Sequence, residues 1–263
     1  QVESTYQIIK KAEIYDNWWF MLYMVAVFAI AVTYLTWLVF HTQVQRTLNI
    51  QKRELELVKK QLEMGNETVL TIARTVDAKD VNTSQHSARV AEYSVLIGKE
   101  LGFDEQKCSE LKRAALLHDI GKIGIPDRIL NKPERLTDEE YKEMKSHVVK
   151  GGEILKSFTL IDNIEEGALY HHERYDGRGY PDGLKGEEIP IAAQIVSLAD
   201  VYDALVSERV YKKPFPLDKA FEMILAGECG AFSPKLLDCF KKVRGEFEAL
   251  AQQNSQGGAA YHL

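Results

Sequence analysis

Cysteine is scarce in this sequence. The 263-residue chain holds three cysteines, Cys108, Cys229 and Cys239, and no two of them form a C-x-x-C pair. An odd, unpaired set is not the pattern of a disulfide framework or of a zinc site built from thiolates. We therefore expect reduced, buried cysteines in a cytosolic domain.

An excess of basic charge is also missing, because the formal net charge of the chain is −6. A protein that binds nucleic acid through a broad face is usually basic, so the sequence predicts no DNA partner. A ligand that carries phosphate would have to be held by a local cationic site, such as a metal.

Charge is absent altogether from Trp18 to Phe40, a run of 23 residues. A helix rises about 1.5 Å per residue, so this run can span a hydrocarbon core of about 30 Å. Its tryptophans lie near its two ends, where aromatic rings favour the membrane interface. The sequence predicts a transmembrane helix over residues 18–40, with a buried core helix as the alternative. A signal peptide does not fit, because the run is too long and no small-residue cleavage site follows it.

Basic residues near the run indicate its orientation. Two lysines, Lys10 and Lys11, precede it, and five basic residues follow it: Arg46, Lys52, Arg53, Lys59 and Lys60. The excess places the C-terminal side in the cytosol, which predicts a single pass through the inner (cytoplasmic) membrane. Residues 1–17 would then end an extracytoplasmic region. Because the chain begins with Gln1, not Met, we expect a C-terminal portion of a longer protein whose sensor lies upstream.

Apolar residues with heptad spacing follow the run. One core position is filled by Leu48, Leu55, Leu62, Val69 and Val76, and the other by Val44, Val58 and Ile72, with Gln51 and Gly65 as weak members. Spacing of this kind over about four heptads predicts a two-helix coiled coil. We predict a coiled-coil linker over residues 41–65 and a homodimer through residues 44–76. A lone amphipathic helix lying on the next domain is the alternative, mainly beyond Gly65.

The remaining sequence, residues 66–250, has helical patterns and few alternating strand patterns. The predicted helices cover residues 85–101, 104–119, 137–158, 162–172, 190–206, 217–227 and 234–250. Thr137 opens one of them with a capping box. The fold class is therefore all-α: a helical bundle preceded by one transmembrane helix and a coiled-coil linker. Residues 251–263 have a Gln/Gly/Ala-rich composition, which predicts a disordered tail.

Histidines and aspartates recur on core-facing helix positions or at helix ends. Seven such residues are His86, His118, His147, His171, His172, Asp200 and Asp203, and Asp119 directly follows His118. A single histidine on an apolar face is more often a hydrogen-bonded core residue, whereas a buried carboxylate is costly without a partner. A shared metal site explains all of them together, because cations offset buried carboxylates and accept neutral imidazole nitrogens.

Five segments make residues 66–245 resemble a known family. They are HSARV at 86–90, HDIGKIGIPD at 118–127, SHVVKGGEIL at 146–155, HHERYDGRGYPDGL at 171–184 and LADVYDALVSERVYKKPF at 198–215. This part of the chain resembles the HD domain phosphohydrolases, and more closely their HD-GYP branch. The resemblance implies an HD-type helical bundle and a metal-dependent phosphodiesterase that hydrolyses cyclic di-GMP to linear pGpG, or onward to GMP.

The resemblance also implies a set of metal ligands. One metal would be held by His86, His118, Asp119 and Asp200. Asp119 would bridge to a second metal, held by His147, His171 and His172. Some members hold a third metal with a glutamate four residues before the first histidine. Here that position is Asn82, a poor ligand, so we expect two divalent metals, with iron or manganese favoured by the His-rich set.

Two metals about 3.5–4 Å apart can share a water and lower its pKa towards ~7, which prepares it to attack a phosphodiester. The leaving 3′ oxygen needs charge stabilisation or a proton. Lys122, one helical turn after Asp119, is the candidate for that role, and the resemblance gives Asp203 a supporting one. The alternative for Lys122, if the surrounding HDIGK motif is left aside, is a partner of the dipole at a helix C-terminus.

Substrate contacts are implied by the resemblance only. It assigns Tyr180 to a guanine contact, and Arg209 and Lys212 to phosphate binding, with Lys213 as a further candidate. A solvated helix end is the alternative for the basic residues.

Two rival functions stay open. The domain could bind cyclic di-GMP with negligible turnover and act through protein contacts, or it could hydrolyse another cyclic dinucleotide or a phosphomonoester. The complete set of metal positions, together with Lys122, favours an enzyme. The sequence does not discriminate among the substrates.

Overall fold

The computed structural model describes residues 18–80, 85–156, 164–208 and 213–257, with side chains as far as Asn254. All regular secondary structure in these ranges is helical. No strand occurs in these ranges, so the all-α prediction is confirmed. The helices are α1 (Trp18–Lys79), α2 (His86–Glu100), α3 (Glu105–Leu116), α4 (Asp127–Leu130), α5 (Asp138–Lys145), α6 (His147–Lys156), α7 (Ile164–Tyr170), α8 (Ile191–Val206), α9 (Leu217–Leu225), α10 (Pro234–Lys242) and α11 (Arg244–Gly257). Short 3-10 helices cover Ile120–Gly124 and Gly186–Glu188.

The chain divides into two units, Gln1–Met64 and Gly65–Leu263. Helix α1 is continuous because its sequence contains no proline and a single glycine, Gly65, and these are the residues that most often interrupt a helix. Within the described part of the chain, α1 is the one helix long and apolar enough to cross a membrane. Residues 1–17, the predicted extracytoplasmic end, lie outside the described residues.

The helix predicted over residues 137–158 is two helices in the structure, and that prediction was wrong. Helix α5 opens with the predicted capping box at Thr137 and ends at Lys145. The Ser146 hydroxyl donates to the carbonyl of Glu143 at 2.6 Å, and His147 Nδ1 lies 2.7 Å from the carbonyl of Met144. These side chains thus bond to carbonyls that would accept backbone N–H groups in a continuing helix. Helix α5 therefore ends, and α6 begins at His147.

Two other predicted helix ends were also wrong. A helix was predicted over residues 104–119, but α3 ends at Leu116, three residues before the predicted end. His118 therefore lies in the turn that follows α3. The predicted helix over residues 234–250 divides at Val243, a buried residue between α10 and α11.

Helix α11 continues to Gly257, where the sequence predicted a disordered tail from residue 251. Leu250 packs against the core, and Asn254 is partly buried. These side chains anchor the last turns of α11, which the polar composition does not reveal.

An aromatic core joins the helices that carry the site. Tyr93 on α2 meets Tyr202 on α8 with ring centroids 5.1 Å apart, and Phe247 on α11 lies 4.7 Å from Tyr93. Phe240 on α10 meets both Tyr202 and Phe247 edge to face. Such pairs contribute roughly 0.5–1.5 kcal/mol each beyond the area they bury. Helices α2 and α8 are therefore held at a fixed spacing.

Gly121 sets how closely the 3-10 helix approaches α6. A Cβ atom at this position would lie 1.8 Å from the carbonyl oxygen of His147 and 2.5 Å from the nitrogen of Gly151. Real Cβ atoms do not approach backbone this closely, so only glycine allows the contact.

We predict that Gly121→Ala destabilises the protein by about 1–3 kcal/mol, because one methyl group overpacks a backbone contact. Thermal unfolding followed by circular dichroism would measure the change. Gly245→Ala is the matched control: it lies in helix α11 and its Cβ would meet open space, so it should stabilise by up to about 1 kcal/mol. Equal melting temperatures for the two variants would contradict the prediction.

Candidate metal centre

The carboxylate of Asp119 lies at the centre of four histidines. Its Oδ2 atom is 3.4 Å from His118 Nε2 and 4.0 Å from His86 Nε2. Its Oδ1 atom is 3.4 Å from His147 Nε2 and 3.8 Å from His171 Nε2. The two oxygens therefore face different pairs of imidazoles, which is the arrangement of a carboxylate that bridges two cations.

Two groups of side chains place their ligand atoms within 4.8 Å of one another. They are His86, His118 and Asp119, and His147, His171 and His172. These residues come from α2, the turn after α3, the start of α6 and the end of α7. The structure thus brings together six of the seven predicted ligands in these groups, and Asp200 Oδ1 lies 3.3 Å from His86 Nε2.

Backbone carbonyls fix the orientation of three imidazoles. The Nδ1 atoms of His118, His147 and His171 lie 2.7, 2.7 and 3.0 Å from the carbonyls of the residues three positions earlier. A carbonyl only accepts hydrogen bonds, so each Nδ1 carries the proton and each Nε2 presents a lone pair to the centre.

The Nε2 lone pairs of His118, His147 and His171 have no hydrogen-bond donor among the described residues. His118 Nε2 is buried and has no hydrogen-bond partner. His147 Nε2 and His171 Nε2 face each other at 3.5 Å, and neither can donate if both protons are on Nδ1. Buried acceptors without donors are costly, and a cation between them removes that cost. The donor set of imidazole and carboxylate atoms therefore fits divalent metals.

The charge states of the site follow from burial and neighbours. Burial would raise the pKa of Asp119, but the positive charge of Lys122 holds the pKa well below its usual range, so Asp119 is a carboxylate. Burial lowers the pKa of His171 well below its ordinary value and that of His172 to about 3, so both are neutral and available as ligands.

His86 differs from the other histidines. Burial would lower its pKa, but hydrogen bonds to Asp200 and Asp203 raise the pKa to about 10. Without a cation, the carboxylates keep a proton on the ring. A cation that binds Nε2 must displace this proton, so metal affinity should rise as the proton is lost at higher pH.

Asp203 lies outside the first layer of candidate ligands. It accepts from His86 Nδ1 at 2.7 Å, and Arg89 donates to it from Nε at 2.6 Å and from Nη2 at 3.0 Å. Ser207 Oγ also donates to Oδ1 at 3.0 Å. Asp203 therefore orients His86. Sequence analysis missed Arg89, although it lies one helical turn after His86 within the HSARV segment.

Lys122 contacts two carboxylates. Its Nζ lies 2.8 Å from Asp119 Oδ2 and 3.0 Å from Asp80 Oδ2. Burial would lower the pKa of Lys122, but these carboxylates raise it above its ordinary value. The side chain stays charged at neutral pH, which favours charge stabilisation over proton donation. Asp80 was missed because it lies at the end of α1, outside every motif.

The end of α1 is bonded to the site at two further points. Lys79 Nζ donates to the carbonyls of Ile123 and Ile125 at 2.8 and 2.7 Å, which close the 3-10 helix. Asp77 accepts from the nitrogen and hydroxyl of Ser87 at 3.1 and 2.6 Å, at the start of α2. The last turn of α1 therefore fixes both segments that flank His86 and Asp119.

The loop that contains Gly179, Tyr180 and Pro181, here called the GYP loop, lies against the group formed by His147, His171 and His172. Tyr180 stacks on His172 with centroids 4.8 Å apart and planes at 28°. Glu173, a buried residue that sequence analysis missed, accepts from the backbone nitrogens of Asp182 and Gly183 at 2.8 and 2.9 Å. Its position in the HHE string, directly after two candidate ligands, could have indicated from the sequence that Glu173 belongs to the site. Glu173 holds the loop and so places Tyr180.

Several predicted residues cannot be compared with the structure. Arg209 and Lys212, the predicted phosphate contacts, and Asn82, the position linked to a third metal, lie outside the described residues. Lys213 is described and is exposed.

Comparison with known proteins matches residues 71–235 to a family model described as an HD domain. The chain is 40% identical over 218 residues to a cyclic di-GMP phosphodiesterase response regulator of Xanthomonas campestris, RpfG, covering 82% of this chain and 57% of that protein. It is 47% identical over 170 residues to a cyclic di-GMP phosphodiesterase of Thermotoga maritima, covering 64% of this chain and 46% of that protein. The chain thus spans about half the length of these relatives.

A solved structure has a similar fold. It is a cyclic GMP-AMP-specific phosphodiesterase of Vibrio cholerae, with a TM-score of 0.53 and 19% identity, covering 70% of this chain and 52% of that one. At this level of identity the similarity concerns the fold alone.

We predict that Asp203→Asn weakens metal binding by about 10–100-fold, the usual cost of removing a partner that orients a ligand. Competition titration with a metal-sensitive dye would measure the affinity. Asp238→Asn, an exposed aspartate on α10, is the control and should leave the affinity unchanged. Unaltered affinity in Asp203→Asn would show that Asp203 does not hold His86 in place.

Proposed function

The chain belongs to the HD domain family, and on that premise we propose that it is a phosphodiesterase that hydrolyses cyclic di-GMP to linear pGpG, or onward to GMP. One observation carries the proposal: the two oxygens of buried Asp119 face separate pairs of histidines, and three of these, His118, His147 and His171, present Nε2 lone pairs without a donor. The names of the relatives from Xanthomonas and Thermotoga support cyclic di-GMP as the substrate.

We propose two divalent cations, iron or manganese, at this centre. His86, His118, Asp119 and Asp200 would hold one. His147, His171, His172 and the second oxygen of Asp119 would hold the other. When bound, the cations would lower the pKa of a water and neutralise charge on the phosphate oxygens.

The protein's own side chains would position and stabilise the substrate. Lys122 is a fixed positive charge beside Asp119, suited to the charge that develops on the leaving 3′ oxygen. Asp203 and Arg89 hold His86 in one orientation. Tyr180 lies beside His172 and is the candidate for the guanine contact.

A binding module with negligible turnover is the second candidate. The position of Lys122 weighs against it, since a ligand-binding domain gains nothing from a buried cation paired with a candidate metal ligand. Hydrolysis of another cyclic dinucleotide is the third.

The full chain, solubilised in detergent and loaded anaerobically with Fe(II) or Mn(II), should convert cyclic di-GMP to a linear product, followed by chromatography. His118→Ala and Asp119→Ala should reduce turnover to that of the metal-free protein. Lys122→Met should lower kcat by about 10²-fold, as for loss of one preorganised charge, and retain its metal. Gly245→Ala serves as the control variant with full activity.

Other outcomes separate the three candidates. Tight binding of cyclic di-GMP without product would favour the binding module. Cleavage of 3′3′-cGAMP in place of cyclic di-GMP would favour the third candidate.

We further propose that residues 18–40 cross the inner membrane once, with the HD domain in the cytosol, and that the chain dimerises through residues 44–76. The first part of this stretch supports the pairing, because Leu48, Leu55 and Leu62 are 45–56% exposed in the single chain. Val69 and Val76 are buried in the chain's own core, so the pairing does not extend to these two residues. Exposed leucines at heptad spacing require a partner surface.

Cysteine cross-linking in membranes would test the dimer. Leu62→Cys, at a core position, should form a disulfide-linked dimer on mild oxidation. Lys60→Cys, at the position farthest from the core, should not exceed the wild-type background. Equal cross-linking of the two variants would rule out the predicted register.

A further inference from the structure

Lys145, the last residue of α5, has an unusual environment for a half-buried cation. Its Nζ lies 5.0 Å from the ring centroid of Tyr141 and 5.5 Å from that of Tyr180. Two aromatic faces therefore hold one ammonium. Tyr180 in turn stacks on His172, so this cluster of Lys145, Tyr141 and Tyr180 borders the candidate metal centre.

The ammonium of Lys145 lacks an anionic partner. Among the described residues, no carboxylate forms an ion pair with it. Two glutamates on its own helix are engaged elsewhere, since Glu143 pairs with Lys150 at 2.6 Å and Glu140 with Lys132 at 2.5 Å. Ring faces attract a cation without neutralising its charge, so the two rings leave the donors of the ammonium available to an anion at the edge of the site.

The position suits a phosphate. A cyclic dinucleotide carries two phosphodiesters, and a metal centre that cleaves one leaves the other to be held by protein groups. An ammonium with free donors is a point-charge ligand for phosphate oxygens. Tyr141 is 51% exposed, so a ligand can reach the cluster from solvent.

We propose that Lys145 binds a phosphate oxygen of the cyclic dinucleotide that is not undergoing cleavage, and that Tyr141 and Tyr180 hold its ammonium in place. This inference rests on the proposed function. It makes Lys145 a determinant of specificity, because a substrate with a single phosphodiester has no group to occupy this position.

The test compares two substrates in the full, metal-loaded chain. Lys145→Gln should raise the KM for cyclic di-GMP about tenfold, the effect of losing one charge-assisted contact, with kcat little changed. Its kcat/KM for bis(p-nitrophenyl) phosphate, which has one phosphodiester, should equal that of the wild type. Lys145→Arg should restore most of the affinity.

Lys142→Gln is the matched control. Lys142 is an exposed lysine on the same helix, so its loss removes equal charge without touching the aromatic cluster. The same KM in Lys142→Gln and Lys145→Gln would overturn the inference. So would a parallel loss of activity on both substrates in Lys145→Gln, since that would indicate a structural role.

Failure of the proposed function gives a different result. A wild-type chain that binds cyclic di-GMP without cleaving it would contradict the proposed phosphodiesterase activity. In that case, calorimetric titration of the wild type and Lys145→Gln would still measure the contribution of Lys145 to the binding of cyclic di-GMP. Equal dissociation constants in that titration would overturn the inference by itself.

Discussion

The burial of one carboxylate is the constraint on which this structure depends. Asp119 is 6% exposed, and an isolated carboxylate at such a depth would be prohibitively costly. Lys122 provides one compensating charge at 2.8 Å, and four imidazoles surround the carboxylate, three of which, His118, His147 and His171, present Nε2 lone pairs to the centre. The centre is therefore stable as a unit only if several helices meet at one point.

The same hydrogen bond at a helix end orients three of the histidines. The last carbonyls of a helix have no partner within the helix. Here the carbonyls of Ala115, Met144 and Ala168 accept from the Nδ1 atoms of the histidines three residues later. Each histidine satisfies an orphan backbone group and, by doing so, aims its other nitrogen at Asp119. Termination of the helix and orientation of the candidate ligand are thus one interaction.

A second set of contacts places the GYP loop beside the centre. Glu173 holds the GYP loop through backbone nitrogens, and the loop places Tyr180 against His172. Lys145 completes the cluster from a separate helix, α5. The break at Ser146, which the periodicity of the sequence does not show, separates α5 from α6, so that Lys145 lies over the ring of Tyr180 while His147 faces Asp119.

The sequence by itself determined the all-α class, the heptads, the apolar run and the identity of the histidines and aspartates that meet, because periodicity, composition and motif spacing are local properties. Only the tertiary structure decided that Asp80 pairs with Lys122, that Arg89 supports Asp203, and that Lys79 closes the 3-10 helix. Asp80 and Lys122 are 42 residues apart, and Arg89 and Asp203 are 114 apart. Such pairs depend on which helix faces pack together, and packing is set by the whole core around Tyr93 and Tyr202 and not by any segment alone.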